Sequence, residues 1–285
     1  MKVAIVGLGL IGGSLGLAIN RAEPGAEVVG YARRPEAASR ALDIGAVDRT
    51  EGSPAAACKD ADAVFIATPA AAVREVLSEI GSGLRDGAIV TDTASTKALV
   101  MEWASDILPP SVSFIGGHPM AGRETSGIDA ADGDLFRGCT YCLVPGRDAE
   151  REAFAQLEGM VQRIGANPLV IEAEEHDRLV AGISHLPMIA SVALMAAAAK
   201  SQAWPEMKRL AASGFRDLTR LASSDPAMWR DICITNGANI TEWIDAYIDE
   251  LNRLRRQIDK GGDEMEDTLA QAKEEREAWL RMKGN

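Results

Sequence analysis

Over its first 171 residues the chain alternates short apolar runs with amphipathic stretches. The runs are Val3–Val6, Glu27–Tyr31, Ala63–Ala67, Ala88–Thr91, Val112–Ile115, Thr140–Val144 and Pro168–Ile171. Between most of them lie Ser14–Arg21, Pro35–Leu42, Ala71–Gly81, Thr96–Ile107 and Ala149–Ile164, which read as helices. Continuously apolar strands alternating with helices predict a parallel sheet covered on both faces. After Glu172 the strand signals stop. The remainder reads as helices over about 174–200, 204–222, 226–260 and 263–282, with breaks near Trp204-Pro205, Ser224-Asp225-Pro226 and Gly261-Gly262. Proline behind Ser224-Asp225 suits a first helical turn. The pattern therefore predicts an α/β domain over residues 1–171 and an all-α domain over residues 172–285.

Charge narrows the partners. The formal net charge is −12, which argues against nucleic acid and anionic membranes, since both need a basic face. An anionic substrate has to be held by local arginines. Met1-Lys2 leads straight into the first strand, leaving no room for a signal peptide. The most apolar run, Met188–Ala199, is too short and too alanine-rich to span a bilayer and reads as a helix buried in protein. The expected location is cytoplasmic. The very apolar helices of the second domain are expected to mediate dimerisation. The cysteines, Cys58, Cys139, Cys142 and Cys233, suggest neither a disulfide framework nor a metal site. Cys139 and Cys142 have redox spacing, but residues three apart on a strand face opposite ways.

Gly7-Leu8-Gly9-Leu10-Ile11-Gly12-Gly13-Ser14 follows the first strand and opens a helix. Gly7 permits the tight turn, Gly9 lets the backbone approach a pyrophosphate, and Gly12 lets the helix pack on the strand. The helix N-terminus, with Leu10 and Ile11, offers free N–H groups and a positive dipole end. The first domain is thus expected to be a Rossmann-like dinucleotide-binding domain. NAD enzymes commonly carry Asp or Glu at the end of the second strand. Here the chain reads Ala32-Arg33-Arg34, and either arginine could pair with a 2′-phosphate. NADP is therefore favoured over NAD, with solvated arginines as the alternative. Thr68-Pro69, closing the next strand, should border the nicotinamide-side ribose.

Two further segments carry chemistry. Ser95, in Asp92-Thr93-Ala94-Ser95-Thr96-Lys97, sits at the carboxyl edge of the sheet, where it can orient a base, bind a hydroxyl or cap a helix. Gly116-Gly117-His118-Pro119-Met120-Ala121-Gly122 puts one of only three histidines in a glycine-rich loop. That loop lies about a hundred residues beyond the cofactor loop, where a nicotinamide enzyme needs its base.

With these segments the chain resembles the prephenate/arogenate dehydrogenase family of tyrosine biosynthesis. The resemblance rests on Gly7–Ser14, Asp92-x-x-Ser95-x-Lys97, Gly117–Gly122 with Glu124, and Ser126-Gly127 with Ala131, Leu135-Phe136 and Gly138. It continues through His176-Asp177, Ser184-His185-Leu186-Pro187, Gly214–Ala222 and Ser224-Asp225-Pro226-x-Met228-Trp229. It implies oxidative decarboxylation of prephenate and/or arogenate, with hydride transfer to NAD or NADP. His118 would take the hydroxyl proton, and Ser95 would hold His118 or the hydroxyl. Arg220 would hold a substrate carboxylate, with Arg216 and Asp217 on the same turn. Trp229, His185, Arg123, Glu124 and Met188 would complete the substrate pocket. An imidazole base should make the rate rise through about pH 6 to 7.

Other readings stand beside these. His176-Asp177 could simply start a helix. His176 and His185 are nine residues apart, about half a turn out of phase on a straight helix, so they form no metal pair. Pro187 should kink the helix. Trp229 and Trp243 are more often core residues than ligand contacts. Met188 and Arg123 depart from residues common in the family, which leaves prephenate and arogenate both open. No fused chorismate mutase or regulatory domain is expected. The competing functions are another two-domain nicotinamide enzyme, such as a β-hydroxyacid dehydrogenase, and a catalytically silent NAD(P)-binding scaffold.

Overall fold

A computed structural model describes residues 1–122 and 125–283. Its strands are β1 (Lys2–Val6), β2 (Glu27–Tyr31), β3 (Arg49–Thr50), β4 (Ala63–Ile66), β5 (Ile89–Asp92), β6 (Ser113–Pro119), β7 (Thr140–Pro145) and β8 (Asn167–Val170). Helices α1 (Leu10–Ala22), α2 (Pro35–Asp43), α3 (Pro54–Cys58), α4 (Ala70–Ile80), α5 (Ala98–Ile107) and α6 (Arg151–Arg163) separate them. Then follow α7 (Ala173–Val180), a π-turn (Ala181–His185), α8 (Leu186–Ala199), α9 (Trp204–Leu210), α10 (Ser213–Thr219) and α11 (Pro226–Thr235). Helices α12 (Gly237–Lys260) and α13 (Glu264–Lys283) end the chain.

The sheet has the order β3-β2-β1-β4-β5-β6-β7-β8. Alternate residues of the central strands build two cores, as a sheet covered on both faces requires. Val3, Ile5, Val28, Phe65 and Leu143 face α1 and α6 through Leu15, Ile19, Leu157 and Val161. Ala4, Val6, Val64, Ile66 and Val90 face α4 and α5 through Val73, Leu77, Ile80 and Val100. Each of the Val, Leu, Ile and Phe side chains among these, fully buried, contributes roughly 1.5–3 kcal/mol. The order reverses between β2-β1 and β4-β5, which opens a crevice at their carboxyl ends.

The alternating pattern predicts this architecture, with exceptions. Strand β7 pairs antiparallel with β6, although the other pairs are parallel. The segment between them stays at the carboxyl edge, against α1, where Ser14 Oγ accepts the Asp132 amide at 2.9 Å. No helix returns the chain to the opposite edge, so β7 enters the sheet from the same side. The expected loop around His118 is part of β6, which runs on to Pro119. The short β3 and α3 have no clear apolar run. The stretch expected as one helix over 204–222 breaks after Leu210, and the one over 226–260 breaks at Asn236.

From Ala173 to Ala199 the helix is continuous for 27 residues, and its most apolar 18-residue window has mean hydropathy 1.8. This longer helix is long and apolar enough to cross a membrane by length and composition only, whereas Met188–Ala199 by itself does not reach that length, as expected. Nor is the longer helix a buried core helix, since only 28% of its most apolar window is buried.

The chain divides into two compact units, Met1–Gly237 and Ala238–Asn285. In the second, α12 turns into α13 at Gly261 and Gly262, both at positive φ (68° and 104°). There Gln257 donates to Glu264 and Thr268 at 3.3 and 3.2 Å.

Candidate active site

The glycine loop has the shape a dinucleotide needs. Gly7 has φ +104°, and a Cβ on it would lie 2.5 Å from the Ala67 carbonyl oxygen. One on Gly12 would lie 1.8 Å from the Gly7 oxygen, so side chains are excluded from both positions. Gly9 faces open space and is the N-cap of α1, with no side chain capping that helix end. Its first amides, including those of Leu10 and Ile11, are therefore available to a pyrophosphate. Thr68 Oγ1, across from this loop after β4, is buried without a hydrogen-bond partner, and Pro69 follows it as the N-cap of α4. Beyond β2, Ala32 is half-buried and Arg33 and Arg34 are exposed. These residues fit a nicotinamide dinucleotide.

The neighbouring strands β5 and β6 end in a polar cluster. Asp92 and Lys97 form an ion pair whose side chains are fully buried. Asp92 also accepts the amides of Ala94 at 2.8 Å and Gly117 at 3.1 Å, which fixes β6 beside the turn after β5. Gly117 has to be glycine, because a Cβ there would lie 2.4 Å from the Asp92 carbonyl oxygen. The next residue, His118, is thereby presented at the carboxyl edge.

His118 is 8% exposed, and its Nδ1 lies 2.8 Å from His176 Nε2. His176 Nδ1 lies 2.8 Å from Asp177 Oδ1. Asp177 in turn accepts the amides of Lys97 at 2.7 Å and Ala98 at 2.9 Å. It thus satisfies two orphan donors at the start of α5, the capping role considered for Ser95. Ser95 is half-buried and shares no hydrogen bond with His118 among the described residues. Nor do His176 and Asp177 start their helix: α7 begins at Ala173, and both are buried one turn in. Burial pushes His118 well below the ordinary imidazole value of 6.5, aided by the nearby charges of His176, Lys97 and His185. If His118 is the base, the rise of rate expected through pH 6 to 7 for an ordinary imidazole is expected at lower pH instead.

A second cluster lies on the helices. His185 Nδ1 is 3.2 Å from Asn236 Nδ2, which also donates to the Asp177 carbonyl at 2.8 Å. Ring centroids of His185 and Trp229 are 5.9 Å apart, in an edge-to-face arrangement. Among the described residues, neither His185 Nε2 nor Trp229 Nε1, both buried, has a hydrogen-bond partner. Burial lowers His185 to about 4, with the Asp177 carboxylate opposing the shift and His176 adding to it. Met188 is buried one turn further along α8. The π-turn explains how His176 and His185 come to share this network. Its extra residue removes about 100° of the half-turn offset expected on a regular helix. It ends two residues before Pro187, which cannot donate to the preceding turn. No group of side chains suited to a metal ion occurs among the described residues.

Arg220 is exposed and opens a 3₁₀ turn, Arg220–Ser223. That turn is tied to α8 by the Ala222 amide, which donates to Ser191 Oγ at 3.0 Å. Arg216 and Asp217 pair at 3.6 Å on the exposed surface. Trp243 is 39% exposed and is no core residue within the chain. Arg123 and Glu124 lie outside the described residues. The structure thus joins His118, His185 and Trp229 through His176, Asp177 and Asn236, three residues that sequence reasoning did not assign to the site. His176-Asp177 and its position among only three histidines were the available signal.

A reversing parallel sheet, an uncapped glycine loop and a buried imidazole on one edge define a dehydrogenase of the dinucleotide-binding class. The family model for the nucleotide-binding domain of prephenate dehydrogenase matches residues 15–170, and that for its dimerization domain matches residues 172–273. The chain belongs to the prephenate dehydrogenase family. It is 39% identical over 260 residues to a prephenate dehydrogenase of Bacillus subtilis (strain 168), covering 90% of this chain and 70% of that one. It is similar to the crystal structure of A. aeolicus prephenate dehydrogenase in complex with hydroxyphenyl propionate and NAD+, at TM-score 0.91 and 30% identity, with 98% of each chain covered. A Synechocystis arogenate dehydrogenase structure matches at TM-score 0.84 and 31% identity, covering 98% of this chain and 100% of that one.

Proposed function

We propose that the chain catalyses oxidative decarboxylation of prephenate, to 4-hydroxyphenylpyruvate, and/or of arogenate, to tyrosine. The observation that carries this reading is the buried His118 imidazole on the sheet edge where the Gly7–Gly12 loop also opens. The substrate is a cyclohexadienol bearing a hydroxyl and a carboxylate on its ring. His118 takes the hydroxyl proton, and a nicotinamide held by the Gly7–Gly12 loop would supply the acceptor for the hydride of the same ring carbon. The bond to the ring carboxylate breaks, its electron pair completes the aromatic ring, and carbon dioxide leaves. The new phenol oxygen recovers the proton, so the base only borrows it. Aromatisation drives the step, which leaves the protein to position the groups and move one proton.

The remaining roles follow the chemistry of each position. Ser95, in the loop after β5, binds the hydroxyl or the cofactor ribose. The N–H groups of His185 and Trp229, unpartnered among the described residues, are suited to oxygen acceptors on the substrate side chain. Met188 shapes the same wall, and Arg220 supplies a guanidinium fork for a carboxylate. Arg123 and Glu124 are assigned to the substrate on the motif alone. The cofactor is NADP at least as readily as NAD, on the strength of Ala32 with exposed Arg33 and Arg34.

Residues 1–171 act as the cofactor domain and residues 172–285 as the helical substrate and dimerisation domain, a division supported by the end of β8 at Val170. A cytoplasmic homodimer accounts for the apolar residues the helices expose, among them Ile183 at 72% and Leu210 at 83%. The test is a matrix of prephenate and arogenate against NAD and NADP, following reduced nicotinamide and the aromatic product. Turnover is expected in at least one combination. None in any combination overturns the proposal.

A further inference from the structure

His176 touches neither the glycine loop nor the His185–Trp229 wall in the bonds described above, yet both its ring nitrogens are committed inside the protein. It is 1% exposed, bridging His118 and Asp177 at 2.8 Å on each side. Hydrogen-bond logic fixes the direction of that bridge. Asp177 accepts the Lys97 amide and His176 on Oδ1, and the Ala98 amide on Oδ2. Acting only as an acceptor, it requires the hydrogen on His176 Nδ1. In a neutral ring His176 Nε2 is then bare and must accept. The His118 nitrogen facing it, Nδ1, therefore carries a hydrogen, and His118 Nε2 is left with its lone pair free.

We propose that His176, held by Asp177, is a positioning residue for the base: it fixes His118 in the tautomer that bares Nε2, and it receives the Nδ1 hydrogen as Nε2 takes the substrate proton. This deepens the reading of His118 as the base and rests on it. The transfers balance. The substrate O–H bond breaks and its hydrogen binds His118 Nε2. The His118 Nδ1–H bond breaks and that hydrogen binds His176 Nε2. The positive charge then sits on His176, in contact with the Asp177 carboxylate, and His118 is neutral again. When the phenol oxygen recovers its proton both transfers reverse. No oxidant or reductant is needed.

The surroundings favour this distribution of charge. From β5 and α5, Asp92 and Lys97 face the cluster as a buried ion pair whose charges offset each other. From β7, Cys142 is the direct cross-strand partner of His118, and burial pushes its thiol up, so it stays neutral. The neighbouring Tyr141 hydroxyl is also raised by burial. From the π-turn, His185 is kept neutral down to about 4. Asp177 is thus the carboxylate in direct contact with a ring of the pair, and it touches His176.

The chain's three histidines make a direct test practical. The full-length enzyme is labelled with 15N-histidine, and ring tautomers are read by long-range proton–nitrogen correlation at neutral pH. Wild type is expected to show His118 and His176 both protonated on Nδ1 and bare on Nε2. His176→Gln keeps a carbonyl that can accept from His118 Nδ1–H but cannot take up a proton. Its His118 tautomer should persist and KM should stay within about twofold, while kcat falls roughly 10–100-fold, part of a base's usual contribution. The acid limb of kcat/KM should shift to lower pH, because the charge must remain on buried His118. A His118 ring protonated on Nε2 in wild type, or a doubly protonated His176, overturns the proposal. So does a His176→Gln enzyme with wild-type kcat and acid limb. Failure of the parent reading looks different: wild type then shows no turnover, or His118→Asn retains it. The tautomer result stands whether or not the variant folds.

Discussion

The β5–β6 edge and the α8–α11 helices treat their polar atoms in opposite ways. At the sheet edge, Asp92 bonds Ala94, Gly117 and Lys97, and Asp177 bonds Lys97, Ala98 and His176. On the helices, His185 Nε2 and Trp229 Nε1 are buried with no partner among the described residues, and Ile183, Leu210, Leu218 and Ile234 stand exposed. An unsatisfied buried donor costs about 1–3 kcal/mol. The first region is complete before substrate arrives, as a preorganised catalytic group should be. On the proposed function, the second is completed by an acceptor-bearing ligand and a covering surface. On that same proposal, one fold divides the work: the sheet holds the chemistry rigid, and the helices provide recognition.

Substitutions should separate the two regions. His118→Asn keeps size and some hydrogen bonding but cannot accept a proton at neutral pH, so turnover should drop about 10²–10⁴-fold. Cofactor affinity, measured by fluorescence titration, should be unchanged, because the Gly7–Gly12 loop is a separate set of contacts. On the helical side, Arg220→Ala should raise KM much more than it lowers kcat, by roughly 2–4 kcal/mol of lost charge-assisted binding. An unchanged KM would give the carboxylate to another residue, with Arg123 the next to test.

Acid should weaken the histidine network before it weakens the rest. His118 and His185 have folded values below their unfolded ones, so the unfolded chain binds more protons as pH falls through about 6.5. Their contribution to stability is full above that value. It is lost progressively as pH drops, down to about 4 for His185. His185 alone accounts for roughly 3 kcal/mol over that window. Denaturant melts of wild type and His185→Gln between pH 7 and 4 measure it. Equal slopes with pH in the two proteins would contradict the buried neutral state. The smallest effect belongs to Ala32→Asp, which should move preference several-fold from NADP toward NAD by offering a ribose acceptor and repelling a 2′-phosphate. A wild type that already prefers NAD strongly would make Arg33 and Arg34 bystanders.

The sheet was legible because its strands are continuous apolar runs, and the cofactor loop because its glycines follow the first run at once. His118 could be singled out from its glycine-rich surroundings, though as a loop residue and not as part of β6. Its partner was hidden. His118 and His176 are 58 residues apart, and only the packing of α7 against the β6 edge brings them to 2.8 Å. The π-turn was hidden too, because a regular helical period puts His176 and His185 on opposite faces. Proline at 187 signalled a disturbance but not its form. The direction of β7 depended on where the segment after Pro119 crosses α1, which no local pattern records. The capping alternative for Ser95 rested on the commonness of hydroxyl caps, whereas a carboxylate 80 residues away does the capping.

The central claim is that a neutral, buried His118 removes the proton, and the pH dependence of kcat/KM tests it most directly. Measured from pH 8 down to 4.5 with the preferred substrate and cofactor, the wild-type rate should stay flat through pH 6.5 and fall only well below it. The same limb should be missing from the residual rate of His118→Asn. A limb centred at or above 6.5, or one retained in His118→Asn, would place the base elsewhere.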